Sequence, residues 1–328
     1  MNDAATIVGA GSVGLALAVR LACAGARVLL VTRRPEAARS LSERGVWAQD
    51  PASGQRIGVA VRATAELAGL CQGSPIFVCT RSNAVEEIAR ALAKTTAPLV
   101  TFQNNVDSEN IAARWVPLVI GGVWRETATR VGDDGVRFLL ARPGRAVLGL
   151  HPHGRSTAVD EVAALLGRAG VEVSVSEVIA RDKWLKLCVN LMSAPNALVR
   201  REDHASQSFV DLKVRLLEEA HAALAAAGVE ATPCDAHDRT LEQEIAFQRE
   251  ALARGASARP IPLYNHVWTC LRHGGPLEAD AYHERIVALA RAHAVSAPVN
   301  ERVLGRLRAA HEQRLGPECF AARELLAP

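Results

Sequence analysis

The sequence predicts an α/β chain in two parts, a doubly wound sheet over residues 1–177 and an all-helical domain over 178–328. Three observations carry this. Short, almost wholly apolar runs alternate with Ala/Leu-rich helical stretches through the first half, the pattern of a buried parallel sheet covered by helices. A glycine-rich turn, Gly9-Ala10-Gly11-Ser12-Val13-Gly14, separates the first apolar run from the first helical stretch. From about residue 178 strand signals nearly vanish and long helical periodicities take over.

In chain order, strands are expected at TIVGA (6–10), RVLLVT (27–32), PIFVCT (75–80), PLVTFQ (98–103), LVIGGVW (118–124) and VRFLLA (136–141). A last strand, VEVSVSE (171–177), alternates apolar and polar residues. Helices over 13–24, 35–44 and 84–94 lie between them; Gly25 closes the first and Pro35 opens the second. Past a junction near 176–180, helices are expected over 178–192, 207–228, 238–254, 264–273, 280–294 and 299–314. The clearest loop among them is RGASARPIP, 254–262.

Composition narrows the function classes. A chain of 328 residues can build two cores. Its 38 basic and 35 acidic residues leave a charge of +3, without a basic run interleaved with aromatics, so no nucleic-acid partner is expected. The 7 cysteines (23, 71, 79, 188, 234, 270, 319) are odd in number and never spaced C-x-x-C, which suits reduced thiols rather than a disulfide frame or zinc site. His151 and His153 lack metal-ligand spacing with acidic or Cys partners, and no metal is expected. No apolar run reaches about 18 residues, so no membrane span is expected. The N-terminus lacks a basic n-region and is broken by Gly9, Gly11, Gly14 and Arg20, unlike a signal peptide, which points to a cytoplasmic protein.

The glycine turn has a specific physical meaning. In G-x-G-x-x-G after a strand and before a helix, the first glycine makes the tight turn and the second lets backbone approach a pyrophosphate. The third lets helix pack on strand, and helix-terminal N–H groups face the diphosphate. Gly9, Ala10, Gly11, Ser12, Val13 and Gly14 therefore read as a dinucleotide site in a Rossmann-type domain; a tight turn without ligand is the other meaning of the pattern. The end of the second strand, where a carboxylate would hold an NAD ribose, is Thr32 followed by Arg33 and Arg34. Guanidinium groups pair with a 2′-phosphate that a carboxylate would repel, so NADPH/NADP+ is the expected coenzyme. One of the two arginines also reads as a solvated residue ahead of the Pro35 helix.

Only four of the basic residues are lysines, and two of these, Lys183 and Lys186, stand in DKWLKLCVN (182–190). On a helix Lys183, Lys186 and Asn190 share one face, while Trp184, Leu187, Cys188 and Leu191 pack on the other. A polar stripe just after the junction is expected to face the cleft where a nicotinamide meets substrate. Hydride addition to a ketone builds negative charge on oxygen, and an ammonium can hydrogen-bond that oxygen and then protonate it, which arginine does not readily do. The alternative is a pair of surface lysines bonded to Asp182 or Glu177.

These motifs resemble the ketopantoate reductases (2-dehydropantoate 2-reductases), NADPH-dependent enzymes with a Rossmann domain followed by a helical domain. The likeness runs in patches along nearly the whole chain. The family's W-x-K-L-x-x-N, with a following proline and A-L, is similar to Trp184–Asn190 with Pro195 and Ala197-Leu198. It implies Lys186 as proton donor and Asn190 as a substrate contact. The Q-N-G turn resembles Gln103-Asn104-Asn105, implying Asn104 as a contact to substrate and nicotinamide. A K-A turn matches Arg81-Ser82, with arginine on the coenzyme side. GGPLEADAYHERIVALARAHAVSAPVN (274–300) resembles the G-R-P-T-E-I-D and P-V-N segments, implying Glu278 as a residue reaching coenzyme or substrate and Asp280 as structural.

Three positions depart from the pattern. Ala194 replaces a second substrate asparagine, His266 replaces a serine, and Asn105 replaces the glycine, which is expected to alter that turn. The resemblance implies NADPH-dependent reduction of a small-molecule 2-oxo acid to a 2-hydroxy acid, with hydride to C2 and a proton from Lys186. Ala194 and His266 would line the substrate pocket; His266 reads as a carboxylate partner, as a catalytic accessory, or as a side chain filling the serine's space and bonded to a neighbour. Authentic ketopantoate reductase of pantothenate biosynthesis, a reductase of another 2-oxo acid, an opine-type dehydrogenase and a non-catalytic NADP(H) sensor stay open, as does a homodimeric state.

Overall fold

The computed structural model of the chain describes residues 3–51, 53–67, 70, 73–138, 144–255 and 265–326. The end of the expected 136–141 strand, most of the 254–262 loop and Cys71 lie outside the described residues. The chain forms two compact units, Met1–Lys183 and Trp184–Pro328.

The first unit begins with β1 (Ala4–Val8), α1 (Ser12–Cys23), β2 (Arg27–Val31), α2 (Pro35–Arg44), β3 (Val46–Gln49), β4 (Arg56–Val59), β5 (Arg62–Thr64) and β6 (Ile76–Val78). It continues through α3 (Val85–Ala91), β7 (Leu99–Thr101), α4 (Ser108–Ala112), β8 (Val119–Trp124), β9 (Ala128–Val131) and β10 (Gly135–Phe138). Then come β11 (Gly144–Leu150), α5 (Thr157–Arg168), β12 (Val171–Val175) and the start of α6 (Ile179–Asn190), a helix that runs on past Lys183 into the second unit. Eight strands form one sheet in the order β12-β11-β8-β7-β6-β1-β2-β5. All five residues of β1 are buried, because it is paired on both edges and covered on both faces. Ala5 and Ile7 pack with residues of α1 and α5, and Val8 packs with residues of α3 and α4. From β1 the chain goes to β2 on one side and later to β6 on the other. The strand order therefore reverses beside β1, which places a ligand crevice at the carboxyl ends of β1 and β6.

Two features depart from the expected parallel sheet. β11 runs antiparallel to β8 and parallel to β12, so that edge is reversed. Residues 135–138 belong to a separate four-stranded sheet, β4-β3-β10-β9, which the sequence did not announce. Its inward residues Val46, Ala48 and Val136 join the core around α1. α1 is thus enclosed by two sheets, which is why Leu15–Val19 and Leu21 are all buried and the helix has little polar face. Gly25, with φ of +84°, closes α1 as expected; the left-handed backbone lets Ala26 N–H donate to the Leu21 carbonyl at 3.0 Å.

α6 docks through Ile179. Gly121 and Gly149 are opposed in register on β8 and β11. A Cβ on either would stand 3.0 Å or 2.8 Å from the Ile179 side chain, so the two glycines form the hollow that receives it.

The second unit is helical: α7 (Ser193–Leu198), α8 (Gln207–Ala226), α9 (Leu241–Arg249), α10 (His266–His273), α11 (Ala279–Ala292), α12 (Pro298–Glu312) and α13 (Ala322–Leu326). α8 is its axis, burying Phe209, Leu212, Leu216, Leu217 and Leu224. Starts are set by caps: Ser206 for α8, a Thr240–Gln243 capping box for α9, and Asn265 for α10. The Pro298-Val299-Asn300 turn is a structural joint. Glu219 of α8 accepts N–H groups of Val299 and Asn300, both at 2.9 Å, and Asn300 Oδ1 lies 2.9 Å from Nδ1 of the buried His283 on α11.

Candidate active site

The carboxyl end of β1 is built around its glycines. Gly9 has φ of +111° and donates to the Val31 carbonyl at 2.8 Å. A Cβ there would lie 2.9 Å from the Cys79 carbonyl oxygen. A Cβ on Gly14 would lie 1.9 Å from the Gly9 carbonyl oxygen, so only glycine lets α1 come this close. Gly11 differs: at its Cβ position the Cys79 carbonyl oxygen makes an ordinary contact at 3.8 Å, and among the described residues nothing else beyond its chain neighbours lies within 4 Å, so the space is otherwise open. α1 starts from Gly11 with no side-chain cap and no acidic residue in its first turn. Free N–H groups, a favourable dipole and open space above a glycine fit the diphosphate of a dinucleotide. Beneath the loop, burial pushes the Cys79 thiol up to about 12, leaving it a neutral packing group.

Beyond β2, the Thr32 hydroxyl donates to the Arg34 carbonyl at 3.0 Å, and Arg34 pairs with Glu36 at 3.5 Å. Arg33 is exposed and makes no ion pair among the described residues. At the neighbouring strand ends, Arg81 is exposed at the head of a short 3-10 turn. The Gln103 amide donates to the Val78 and Thr80 carbonyls at 2.8 and 3.0 Å, tying the β6 and β7 turns together. Its Oε1 is buried without a hydrogen-bond partner among the described residues, an acceptor that a bound water or ligand could satisfy. Asn104, next in the chain, is exposed. Asn105 is not among the non-glycine residues of positive φ (Ala294, Arg314 and Glu318), and its Oδ1 accepts from the Ser108 hydroxyl at 2.6 Å. The turn therefore keeps an ordinary backbone at Asn105 and uses its side chain as an internal brace.

Among the predicted residues of the second unit, Lys186 and Asn190 are half-buried on α6, one helical turn apart. Leu185, Leu187 and Cys188 pack at 1% exposure or less, and Trp184 lies under Arg285 at 5.6 Å. Ala194 is fully buried in α7, whereas His266 is exposed at the first position of α10. Glu278 is half-buried at the head of α11, and Asp280 pairs with Arg308 at 3.6 Å. Two surface hollows, one beside Asp211 and Glu218 and one beside Glu284 and Arg308, include none of these candidates.

Lys183 does not share the exposed stripe expected of it. It is buried with the Glu109 carboxylate, side chains 3% and 4% exposed, and Nζ donates to Oε1. Asp182 accepts instead from the Ser176 hydroxyl at 2.6 Å. Glu109 was missed in the sequence, where it stands as one acidic residue in an unremarked stretch. A carboxylate six residues after Gln103 was the only signal.

An open-headed helix beside a strand-order reversal is the architecture of a Rossmann-type α/β fold, and a helical second unit follows it. The chain is a member of the ketopantoate reductase family. The profile "Ketopantoate reductase PanE/ApbA" matches residues 5–153, and "Ketopantoate reductase PanE/ApbA C terminal" matches 178–311. The 2-dehydropantoate 2-reductase of Pyrococcus abyssi is 26% identical over 320 residues, covering 92% of this chain and 96% of that one. The Pyrococcus horikoshii 2-dehydropantoate 2-reductase is 24% identical over 307 residues, covering 90% and 93%. Among solved structures, D-mandelate dehydrogenase with NADH and anilino(oxo)acetate superposes with a TM-score of 0.77 at 18% identity, covering 95% and 99%. A PanE/ApbA family ketopantoate reductase from Ralstonia eutropha gives 0.75 at 20% identity, covering 95% and 99%. Among the described residues no helix is long and apolar enough to cross a membrane.

Proposed function

We propose that the chain reduces a 2-oxo acid to the 2-hydroxy acid with NADPH as reductant. The observation that carries this is the open space over Gly11 at the uncapped head of α1, in a member of this family. The residues present fit the coenzyme: Gly9–Gly14 and the first N–H groups of α1 would hold its diphosphate, with Arg81 on the same side. Arg33 would hold the 2′-phosphate, because Arg34 already has Glu36 as partner. When bound, the nicotinamide supplies the hydride that adds to C2.

Every other step belongs to the chain's own side chains. Lys186 hydrogen-bonds the keto oxygen, gains attraction as negative charge develops there, and delivers the proton that completes the hydroxyl. Asn104 and Asn190 orient the substrate through their amides, and Glu278 contacts coenzyme or substrate. Lys186 should therefore act on turnover more than on binding.

A reductase of an acid other than ketopantoate is the second reading, favoured by Ala194 and His266, which depart from the family pattern. The D-mandelate dehydrogenase neighbour is seen with NADH and anilino(oxo)acetate, so the fold accommodates both an aryl-bearing ligand and the unphosphorylated coenzyme. Coenzyme oxidation against a panel running from ketopantoate to phenylglyoxylate, with NADPH and NADH in parallel, tests both readings. Reduction of ketopantoate above all others supports the pantothenate enzyme, and preference for a bulkier acid supports the second reading. NADPH binding without consumption by any acid refutes reduction and favours a sensing role.

A further inference from the structure

We propose that the buried Glu109–Lys183 ion pair is a positioning element of this enzyme. It sets the turn that carries Asn104 and the opening turns of α6, the helix on which Lys186 follows one turn later. The inference rests on the roles just proposed for Asn104 and Lys186.

The pair closes a loop. Thr101 ends β7 and Glu109 lies in the first turn of α4, with the Gln103-Asn104-Asn105 turn between them. The Thr101 hydroxyl donates to Glu109 Oε1 at 2.6 Å, and Lys183 donates to the same oxygen. Gln103 is held to the β6 strand end and Asn105 to Ser108, so the backbone on both sides of the exposed Asn104 is pinned. On the other side of the pair, α6 is fixed by Ile179 in its glycine hollow and by Asp182 against Ser176. One carboxylate thus joins the β7 end, the α4 start and the α6 start.

Stability alone does not account for such a device. Two charges at 3% and 4% exposure pay a large desolvation cost, and apolar residues of the same shape often serve stability equally well. What an apolar pair cannot supply is direction: a bond from a fixed ammonium to a fixed oxygen sets register. His151 stands within electrostatic reach of both charges, and burial foremost holds its imidazole below the ordinary value. It is therefore neutral at neutral pH, which leaves Lys183 as the cation for Glu109.

The test replaces both partners by apolar residues of similar length, Glu109→Met with Lys183→Met; Thr101 keeps the Ile120 carbonyl, at 3.3 Å, as a partner. Amide hydrogen exchange is read for segments 102–109 and 184–190, together with NADPH affinity, kcat and KM. The expected result is a folded protein that binds NADPH within about threefold of wild type, because the Gly9–Gly14 cradle is untouched. Both segments exchange at least about tenfold faster. kcat falls about 100-fold with a smaller change in KM, the effect of a roughly 1 Å misplacement, and Lys183→Arg, which keeps the cation, loses less than Lys183→Met. Unchanged exchange in both segments overturns the proposal, and so does faster exchange with wild-type kcat. If the wild type consumes no coenzyme with any acid, the reductase reading fails and exchange alone decides the positioning claim. Should the double variant not fold, Glu109→Gln, which keeps the Thr101 bond and removes the charge, takes the same exchange measurement with the same criteria.

Discussion

Two glycines of the same loop should fail in different ways. At Gly14 a methyl group would stand 1.9 Å from the Gly9 carbonyl oxygen and 3.3 Å from the Cys79 side chain. Relief requires α1 to move by about an ångström in a packed core. Overpacking of that kind costs about 1–3 kcal/mol, against which alanine in a helix returns at most about 1 kcal/mol. Gly14→Ala should therefore lower Tm by several degrees, at about 2–4 °C per kcal/mol for a unit of this size. At Gly11 the backbone, φ −83° and ψ −174°, is ordinary for alanine, and nothing lies within 3.8 Å of the new methyl. Gly11→Ala should change stability by about 1 kcal/mol or less. Its methyl would occupy the space proposed for the diphosphate, so NADPH affinity should fall at least tenfold, about 1.4 kcal/mol. Thermal melting and calorimetric titration with NADPH separate the two effects. Gly11→Ala binding NADPH within about twofold of wild type would refute the assignment of the coenzyme to this loop.

Arg33→Ala should weaken NADPH about 10- to 100-fold, the worth of a charge-assisted hydrogen bond, and leave NADH nearly unchanged, whereas Arg34→Ala should change both little; equal loss for the two coenzymes would contradict the assignment. Acid should destabilise the second unit through His283, whose imidazole burial depresses to about 4. The unfolded chain binds a proton near pH 6.5 that the folded chain refuses, so stability declines as pH falls from about 6.5 toward 4, by up to about 3 kcal/mol. His283→Gln should flatten this slope in melts between pH 7.5 and 4.5, and an unchanged slope would remove His283 as its source. Maleimide should label the exposed Cys23 and Cys234 in the folded protein but reach Cys188 only on unfolding, since burial pushes that thiol to about 12; rapid labelling of Cys188 would contradict its burial.

The parts of the fold read most directly from the sequence were those where local pattern and tertiary role coincide. β1, α1, β2 and Gly25 form one contiguous run, and the glycine spacing is itself the geometry of the turn. The longer helices of the second unit show because each carries an apolar stripe over two or more turns, whereas α7 and α13, six and five residues long, were not expected. The small sheet stayed hidden because its strands are four residues long: VWAQ buries only Val46 and Ala48, RIGV is mostly exposed, and neither carries enough periodicity alone. β11 was not among the expected strands, and its reversal leaves no local signal, since a buried antiparallel strand and a parallel one have the same apolar composition.

The residues proposed for the site came from the sequence by way of short motifs. Lys186, Asn190, Asn104 and the glycines sit in compact motifs. Glu109 and Lys183 are 74 residues apart, and sequence proximity favoured Asp182 and Glu177, neither of which is the partner found. Asn105, where the family pattern has glycine, has an ordinary backbone angle, and its side chain accepts from Ser108 three residues on.

The central claim, that Lys186 protonates a 2-oxo acid as NADPH reduces it, is tested most directly by NADPH oxidation in wild type and Lys186→Ala at saturating coenzyme, with the best acid of the panel. The variant is expected to fold, to bind NADPH as the wild type does, and to lose at least about 100-fold in kcat, the worth of a general acid. A variant that oxidises NADPH within about twofold of the wild-type kcat would contradict the claim and remove Lys186 from the chemistry.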